Sequence, residues 1–598
     1  MNEKPAGIFK SIWGKSWNEP RHFFFWLALL SPVVFVLVVA MSGLAGTPPP
    51  LVHWLALGAI IGFILGAPAF VVSWIPPVRR VLARVLQRKL FVFVCLVTLV
   101  TLFYAVENWR GRNAWNHFRR EWESRGVRFD LEGIIPPRVP DDQNFFATFP
   151  WEFLRFTRSN NAVVWQYDEA TRDSQQWLDA AGPRGSEAPG YGDLFAAKPA
   201  DLGAWQDFYR GSNNLFAAGG QTFTNFFPIA PHPQTPAKDV LLALTQSDPV
   251  LQEIRAAARR PKARFWINYE DGFAALLPHL GKMKGDARYM GLQALAQLAD
   301  GQSDLALDDV KLAFRLNDAI RDEPLLISQL VRLAALQISL LPIWDGLADH
   351  RWSDAQLEAI ERELAGTDCL ADYQTGMNGE RVFSIWTIDY LKRTRDMNYL
   401  DLPASGSGDL SDQIEAAAGR ILFRLIPGGW FDRNKVALGR MHVEGIRPLV
   451  DQEKQLVLPA TSRRTAAAIQ TYSFKNTPYD WFTGMLIPAL DKAAKKFAVG
   501  QTYVNLARIA CALERFRLAQ GSYPETLEAL VPKFINPLSH DVINGQPLKY
   551  RRTGDGSFVL YSVGWNETDD GGTVVMRKGN TPSVDQDKGD WVWRYPTK

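Results

Sequence analysis

The chain contains 598 residues, of which 66 are basic and 63 acidic, and its formal net charge is +3. This balance gives no reason to expect binding to nucleic acid, which is usually marked by a basic surface. The length exceeds that of one ordinary hydrophobic core, so two or three folded units are expected.

Three apolar stretches open the chain: Phe23–Ala45, Leu51–Ile75 and Leu90–Val106. None of them contains Asp, Glu, Lys or Arg, and each is long enough to cross a hydrocarbon core of about 30 Å. We therefore predict a cytoplasmic N-terminus at residues 1–20 and a three-helix transmembrane anchor at residues 21–106. The lipid bilayer is the first partner that the sequence implies.

Basic residues beside these stretches predict the orientation, because Lys and Arg are retained on the cytoplasmic side. They occur before the first stretch and in the connection Val78–Lys89, which has no acidic residue, whereas the connection at residues 46–50 is uncharged. We predict a multi-pass protein of the cytoplasmic (inner) membrane, with its N-terminus inside and its large C-terminal body outside. Arginines after the third stretch dilute this pattern without reversing it, since long translocated domains obey the rule poorly.

The body divides into four parts by its residue pattern. We predict an irregular juxtamembrane region at residues 107–236 and an α-helical domain at residues 237–403. A linker with further helices follows at residues 404–480, and an α+β domain completes the chain at residues 481–598.

The α-helical domain has the clearest local signals. Leu292 and Leu295 share one helical face, and the turn-rich Asp300–Ser303 separates this helix from the next. The pair resembles one tetratricopeptide unit, but no second copy follows in register, and such solenoids need about three. A plain helical domain is therefore predicted. Ser353 followed by Gln356 forms a capping box, which predicts a helix start.

Two cysteines fall in the body, Cys369 and Cys511. An exported protein permits a disulfide between them. Both lie in stretches with helical spacing, however, which favours buried free thiols.

The C-terminal part carries several landmarks in a fixed order. A long amphipathic helix follows Pro488 and ends in Leu513–Pro524, where Gly521 can supply a left-handed stop. Ser539–Tyr550 and Phe558–Gly564 follow, with a hairpin signal between them. These motifs resemble the globular head of the major pseudopilin of type II secretion systems.

This resemblance implies an α+β head in which a long helix packs on a small antiparallel sheet. A pseudopilin has a membrane stem fused directly to that helix, and no such stem precedes it here. Polymerisation as a pilus is therefore not expected. The whole chain also resembles a recurrent bacterial membrane-protein family that carries a Val-Pro-Asp-x-Gln-Asn-Phe element, here Val139–Phe145.

In the pseudopilins, the loop after the second of these motifs binds calcium. The corresponding residues are Asn566, Asp569, Asp570 and the later Asp590. Calcium takes six to eight oxygen ligands, which a loop rich in carboxylates and glycine can offer. Asn566 stands where the family has Asp, so a weak calcium site is expected. The alternative is an acidic, solvated turn with Asx-type hydrogen bonds.

No motif nominates a catalytic nucleophile or general base. The eight His show no metal-ligand spacing, and no Gly-x-Ser-x-Gly elbow occurs. The leading prediction is a non-enzymatic, membrane-anchored extracytoplasmic protein that acts in an envelope or secretion-like assembly with an envelope protein partner. The alternative is an exported hydrolase of cell-wall or glycan material, with its cleft in the aromatic region Phe145–Thr235.

The predicted fold class is thus a membrane-anchored, multi-domain protein. It combines three transmembrane helices, a mainly α-helical soluble body and a C-terminal α+β pseudopilin-like domain.

Overall fold

The computed structural model describes residues 76–159, 162–167, 189–211, 215–218, 221–224, 226–396, 419–469, 477–487, 492–577 and 583–595. The predicted spans Phe23–Ala45 and Leu51–Ile75 lie outside the described residues, as does the start, residues 404–418, of the predicted linker region 404–480. The chain divides into two compact units, Met1–Trp109 and Arg110–Lys598. The finer boundaries within the body stay predictions.

The described chain is mostly helical, as the sequence predicts. Its α-helices are α1 (Pro76–Glu123), α2 (Leu202–Arg210), α3 (Pro236–Leu244), α4 (Asp248–Ala257), α5 (Pro278–Ala299), α6 (Ser303–Asp318), α7 (Leu326–Ala348), α8 (Asp354–Ala365), α9 (Cys369–Thr394), α10 (Gly428–Arg440), α11 (Pro459–Ile469), α12 (Trp481–Leu486) and α13 (Ala493–Gln520). A π-helical turn, Met441–Ile446, continues α10.

Small antiparallel sheets complete the described fold. The strands are β1 (Phe156–Ser159), β2 (Ala162–Trp165), β3 (Leu215–Ala218), β4 (Gln221–Thr224), β5 (Val450–Asp451), β6 (Leu456–Val457), β7 (Lys549–Arg552), β8 (Phe558–Ser562), β9 (Val574–Arg577), β10 (Ser583–Gly589) and β11 (Trp591–Trp593). Four pairs form two-stranded sheets, and β11, β8 and β7 form a three-stranded sheet in that order.

Helix α1 contains the third predicted span. Its side chains from Leu90 to Val106 are mostly exposed, with Phe91 at 70% and Leu99 at 67%. The segment Arg88–Glu123 is long and apolar enough to cross a membrane: its most apolar window has a mean hydropathy of 2.4, and 6% of that window is buried. An apolar surface of this extent is stable in lipid and costly in water.

The connection Val78–Lys89, expected as a loop between two spans, is helical instead and belongs to α1. Pro76 and Pro77 occupy its first positions, where proline is tolerated, and the next glycine is Gly111. The intervening residues include many good helix formers and no helix breaker, so nothing in the local sequence ends the helix.

A second helix meets the same length and hydropathy criteria and has a different setting. The most apolar window of α7 has a mean hydropathy of 1.6, but 61% of that window is buried. It packs against α5, α6, α9 and α13. Because neighbouring helices of the same unit cover its apolar surface, α7 is a core helix of the unit Arg110–Lys598.

Several local predictions in the helical part are confirmed. Helix α5 ends at Ala299 and α6 begins at Ser303, as the turn-rich break indicates. Helix α8 starts with the predicted capping box, in which the Ser353 hydroxyl accepts from the Gln356 backbone and the Gln356 side chain accepts from the Ser353 backbone.

Helix α13 is the central element of the C-terminal part. It packs against β8 and β11 on one side and against α7, α8 and α9 on the others. It ends at Gly521, whose φ of 81° lies in the left-handed region. A short 3-10 turn, Leu527–Leu530, follows it. Cys369 and Cys511 are buried free thiols, as their helical settings favoured.

The three-stranded sheet has one buried and one exposed edge. Strand β8 pairs with β7 through Tyr550 and Leu560, and with β11 through Val592 and Tyr561. Strand β11 is buried along its length, whereas Lys549, Arg551 and Arg552 of β7 are exposed. Charged side chains on an edge strand oppose uncontrolled pairing with other chains.

Candidate functional site

The predicted calcium residues lie in one loop and in the turn that closes it. The loop connects β8 to β9, and Asp590 lies between β10 and β11. Gly564 opens the loop with a φ of 69°, and a Cβ atom there would lie 2.4 Å from the Gly589 carbonyl oxygen. Only glycine therefore allows the two backbone segments to approach this closely.

Asp590 ties the loop to the β10–β11 turn. Its side chain is buried, and its two carboxylate oxygens accept from the backbone N–H groups of Asp570 (3.2 Å) and Gly572 (2.6 Å). Burial raises the pKa of Asp590, while the Gly572 and Asp570 N–H groups act in the opposite direction. The Asp590 carboxylate therefore holds the loop in place through its hydrogen bonds to two backbone N–H groups.

The other predicted ligands also have partners. The Tyr561 hydroxyl donates to Asp569 Oδ1 (3.0 Å), and Lys549 Nζ lies 3.4 Å from Asp569 Oδ2. Backbone donation from Gly571, followed by the Tyr561 hydroxyl, holds the pKa of Asp569 below its usual value. The Asn566 amide donates to Asp570 Oδ2 (2.8 Å).

Carboxylate and amide oxygens suit calcium, but these oxygens already accept hydrogen bonds from neighbouring groups of the loop. Asn566 Oδ1 accepts from the Thr568 N–H (3.2 Å) and Asp569 Oδ1 from the Gly571 N–H (3.1 Å), which is the Asx-turn pattern. Within the described ranges, no group of three or more His, Cys, Asp or Glu side chains is placed to hold a metal ion.

One residue that the sequence did not single out joins the two motifs of the C-terminal resemblance. Asp541 is buried and accepts from the Ser562 hydroxyl (2.8 Å), the Val563 N–H (3.0 Å) and the Ile543 N–H (3.0 Å). These contacts connect the Ser539–Tyr550 segment to the end of β8. Asp541 is a structural residue, because its carboxylate is surrounded by donors and faces no open space.

A cavity of about 420 Å³ lies beside the Val139–Phe145 element. Its charged lining consists of one carboxylate, Asp141, and the side chains of Arg138, Arg155 and Arg264. Arg155 lies 3.8 Å from Asp141 and stacks over the Trp266 ring at 4.5 Å. Glycoside hydrolysis normally requires a pair of carboxylates across the scissile bond. This cavity does not offer that pair, and only part of Phe145–Thr235 is described.

A second cavity, of about 850 Å³, lies between α9, the segment after the π-helical turn and the loop after α1. Gln374, Asn378 and Arg381 line it from α9, at spacings that place them on one helical face. Arg447 and Arg128 line it from the other two segments. Only the helical spacing of Gln374, Asn378 and Arg381 can be recognised in the sequence. The other two walls come from distant segments of the chain, so no sequence pattern indicated the cavity.

Comparisons with protein-family models, with curated proteins and with solved structures find no match to this chain.

Proposed function

We propose that this chain is a non-enzymatic membrane protein whose unit Arg110–Lys598 acts by binding a partner outside the cytoplasmic membrane. The observation that carries the proposal is the exposed apolar surface of α1, of which 6% is buried over its most apolar window. A water-filled environment would leave this surface unstable, whereas a bilayer would cover it. The basic residues before α1 and in its first turns support an N-terminus inside the cell.

The C-terminal part supports binding rather than polymerisation. In a pilus, stem helices of different subunits pack against each other. Here α13 is already covered by α7, α8 and α9 of its own chain. The β7 edge is accessible and carries the exposed basic residues Lys549, Arg551 and Arg552. Lys549 and Arg552 pair with Asp569 and Glu525, so Arg551 is the one of the three without an ion pair in the described residues. A partner that adds a strand there would carry acidic side chains, because like charges across a strand pair are destabilising.

Membrane attachment and orientation test this proposal together. We expect the full chain to stay in the membrane pellet after alkaline carbonate extraction. Alkaline phosphatase fused after Lys598 should be active, and a fluorescent protein fused there should be dark when exported by the general secretion route. Release by carbonate, or a fluorescent and phosphatase-inactive fusion, would contradict the assigned compartment.

Partner binding has its own readout in the same cells. A photo-crosslinking residue at Arg551 should give a discrete adduct with an envelope protein. The control position is Val164 in β2, which is also an exposed strand position. Equal adducts at both positions, or none at Arg551, would count against the β7 edge as the docking surface.

Calcium binding by the β8–β9 loop is a separate part of the proposal, supported by the pseudopilin resemblance and by the oxygen donors of the loop. Because Asn566 is neutral and the carboxylates already have partners, we expect weak binding, in the millimolar range of extracellular modules. Calcium should raise the melting temperature of the purified protein saturably, and Asp570→Asn should remove the rise. An equal effect of magnesium at the same concentration would show that no calcium site exists.

A further inference from the structure

A buried arginine, Arg381, lines the cavity of about 850 Å³. Arg381 projects from α9, and its residue is only 4% exposed. Its Nε donates to the Arg128 carbonyl oxygen (3.1 Å) and its Nη1 to Asn378 Oδ1 (2.9 Å). Both acceptors are uncharged. Within the described part of the chain, no carboxylate forms an ion pair with Arg381.

The charged neighbour that acts on Arg381 is another arginine. Burial, followed by the proximity of Arg447, lowers the pKa of Arg381 to about 10. His442 in the π-helical turn responds to the same field: burial, followed by Arg381, lowers its pKa to about 3, so its ring is neutral at physiological pH. A buried positive charge without an anionic partner is costly, and the cost is relieved when an anion binds.

Two acidic residues also line the cavity, Asp451 and Glu453. Asp451 is paired with Lys454 at 3.1 Å. In the described residues, neither acid forms an ion pair with Arg128, Arg381 or Arg447. Arg381 therefore has no acidic side chain as a direct partner in the described part of the chain, and its guanidinium lies 5.7 Å from the centre of the Phe129 ring.

Arg381 and Arg447 of the cavity lining keep N–H groups that have no acceptor among the residues that the structure describes. The Nη2 group of Arg381 and the guanidinium of Arg447 donate to no acceptor within the described ranges, and Arg447 is an exposed residue of the cavity lining. A guanidinium presents several N–H donors in a planar fork, which matches the oxygens of a carboxylate or phosphate group. The π-helical turn beside these residues is a feature that is often found at functional sites.

We propose that this cavity binds a small organic anion through a carboxylate or phosphate group held by Arg381 and Arg447. The volume falls in the range of about 300–1,000 Å³ that is usual for small-molecule sites, and it exceeds what a single inorganic ion would fill. Gln374 Nε2 donates to the Val450 carbonyl oxygen (3.1 Å) and Asn378 Oδ1 accepts from Arg381, so the Gln374 Oε1 and Asn378 Nδ2 groups supply the uncharged polar contacts for the rest of the molecule. Binding of such an anion does not require the docking of a protein partner.

Titration of the full chain in detergent tests the site. Citrate serves as the carboxylate probe and pyrophosphate as the phosphate probe, each compared with sodium chloride at the same ionic strength. We expect at least one probe to bind saturably by calorimetry and to raise the melting temperature. The probe that binds more tightly identifies the anionic group.

Variants assign the binding to this cavity. Arg447→Ala should weaken the affinity at least tenfold without loss of folding, because the side chain is exposed. Arg381→Gln should abolish the rise in melting temperature. The matched control is Arg440→Ala, an exposed arginine of α10 that pairs with Glu444 at 3.8 Å outside the cavity. No saturable binding of either probe, unchanged affinity in Arg447→Ala, or an equal loss in Arg440→Ala would overturn the proposal.

Discussion

Replacement of Gly379 by alanine is expected to destabilise the unit Arg110–Lys598 by about 3 kcal/mol, at the upper end of what overpacked cores usually lose. Gly379 lies in α9, where a Cβ atom would be 1.6 Å from the Pro324 carbonyl oxygen and 2.5 Å from its carbonyl carbon. Both atoms belong to the backbone, so no side-chain rotation can relieve the clash. The better helix propensity of alanine, about 1 kcal/mol, does not offset this cost.

The matched control for Gly379→Ala is Gly281→Ala. Gly281 also lies inside a helix, α5, but beyond its own helix backbone and chain neighbours no heavy atom lies within 4 Å of its added Cβ position. We expect this change to be neutral or to stabilise slightly. Thermal and urea denaturation of the purified protein measure both variants. If Gly379→Ala unfolds at the same midpoint as the unmodified protein, then α9 does not pass this close to the segment before α7.

Replacement of Arg332 by methionine is expected to cost about 3–5 kcal/mol at pH 8, because it leaves a buried carboxylate unpaired. Arg332 is 1% exposed, and its Nε donates to Asp372 Oδ2 at 2.9 Å. Its Nη1 donates to the Asn317 carbonyl oxygen (3.1 Å) and to Asp318 Oδ1 (3.0 Å). Methionine fills part of the volume and replaces none of these bonds.

The stability that Arg332→Met loses should depend on pH. Burial raises the pKa of Asp372 to about 6, although Arg332 acts in the opposite direction. Since the folded state holds this proton more tightly than the unfolded state, the contribution of Asp372 is fully present below its ordinary pKa, about 4, and is lost as the pH rises through 6. Without Arg332 the folded pKa rises further. The variant should therefore lose less stability at pH 5 than at pH 8.

Two further variants separate charge from packing. In the Arg332→Met background, Asp372→Asn should recover much of the stability at pH 8, because the unpaired charge is gone. Arg362→Met provides the control, since Arg362 is exposed and its pair with Glu358 is worth at most about 1 kcal/mol. If the loss in Arg332→Met is the same at pH 5 and pH 8, the buried charge is not its cause.

Local signals in the sequence predicted local structure well. The capping box at Ser353 needs only residues within one helical turn, and it is present. The left-handed Gly521 and the hairpin between β7 and β8 likewise depend on a few neighbouring residues. The connection Val78–Lys89 was misjudged because its charges describe membrane topology, whereas its backbone follows helix propensity.

Contacts between distant segments could not be predicted from the sequence. The resemblance indicated a long C-terminal helix on a small sheet, but it gave no sign that α7, α8 and α9 would cover the other faces of α13. The predicted ligands from Asn566 to Asp570 were adjacent in the chain and were easily grouped. Arg381 and Arg447 are separated by other elements, and only the fold brings them to one cavity.

The burial of α13 has a consequence for how this chain is made. From Ala493 to Glu514 nearly every residue of the helix is buried, and much of the surface that covers it belongs to helices synthesised much earlier. Until this late helix has left the ribosome, the apolar surfaces of α7, α8 and α9 that pack against it remain exposed to water. A chain that stops before Ala493 should therefore aggregate readily and be degraded quickly. The core becomes buried only when α13 has been synthesised.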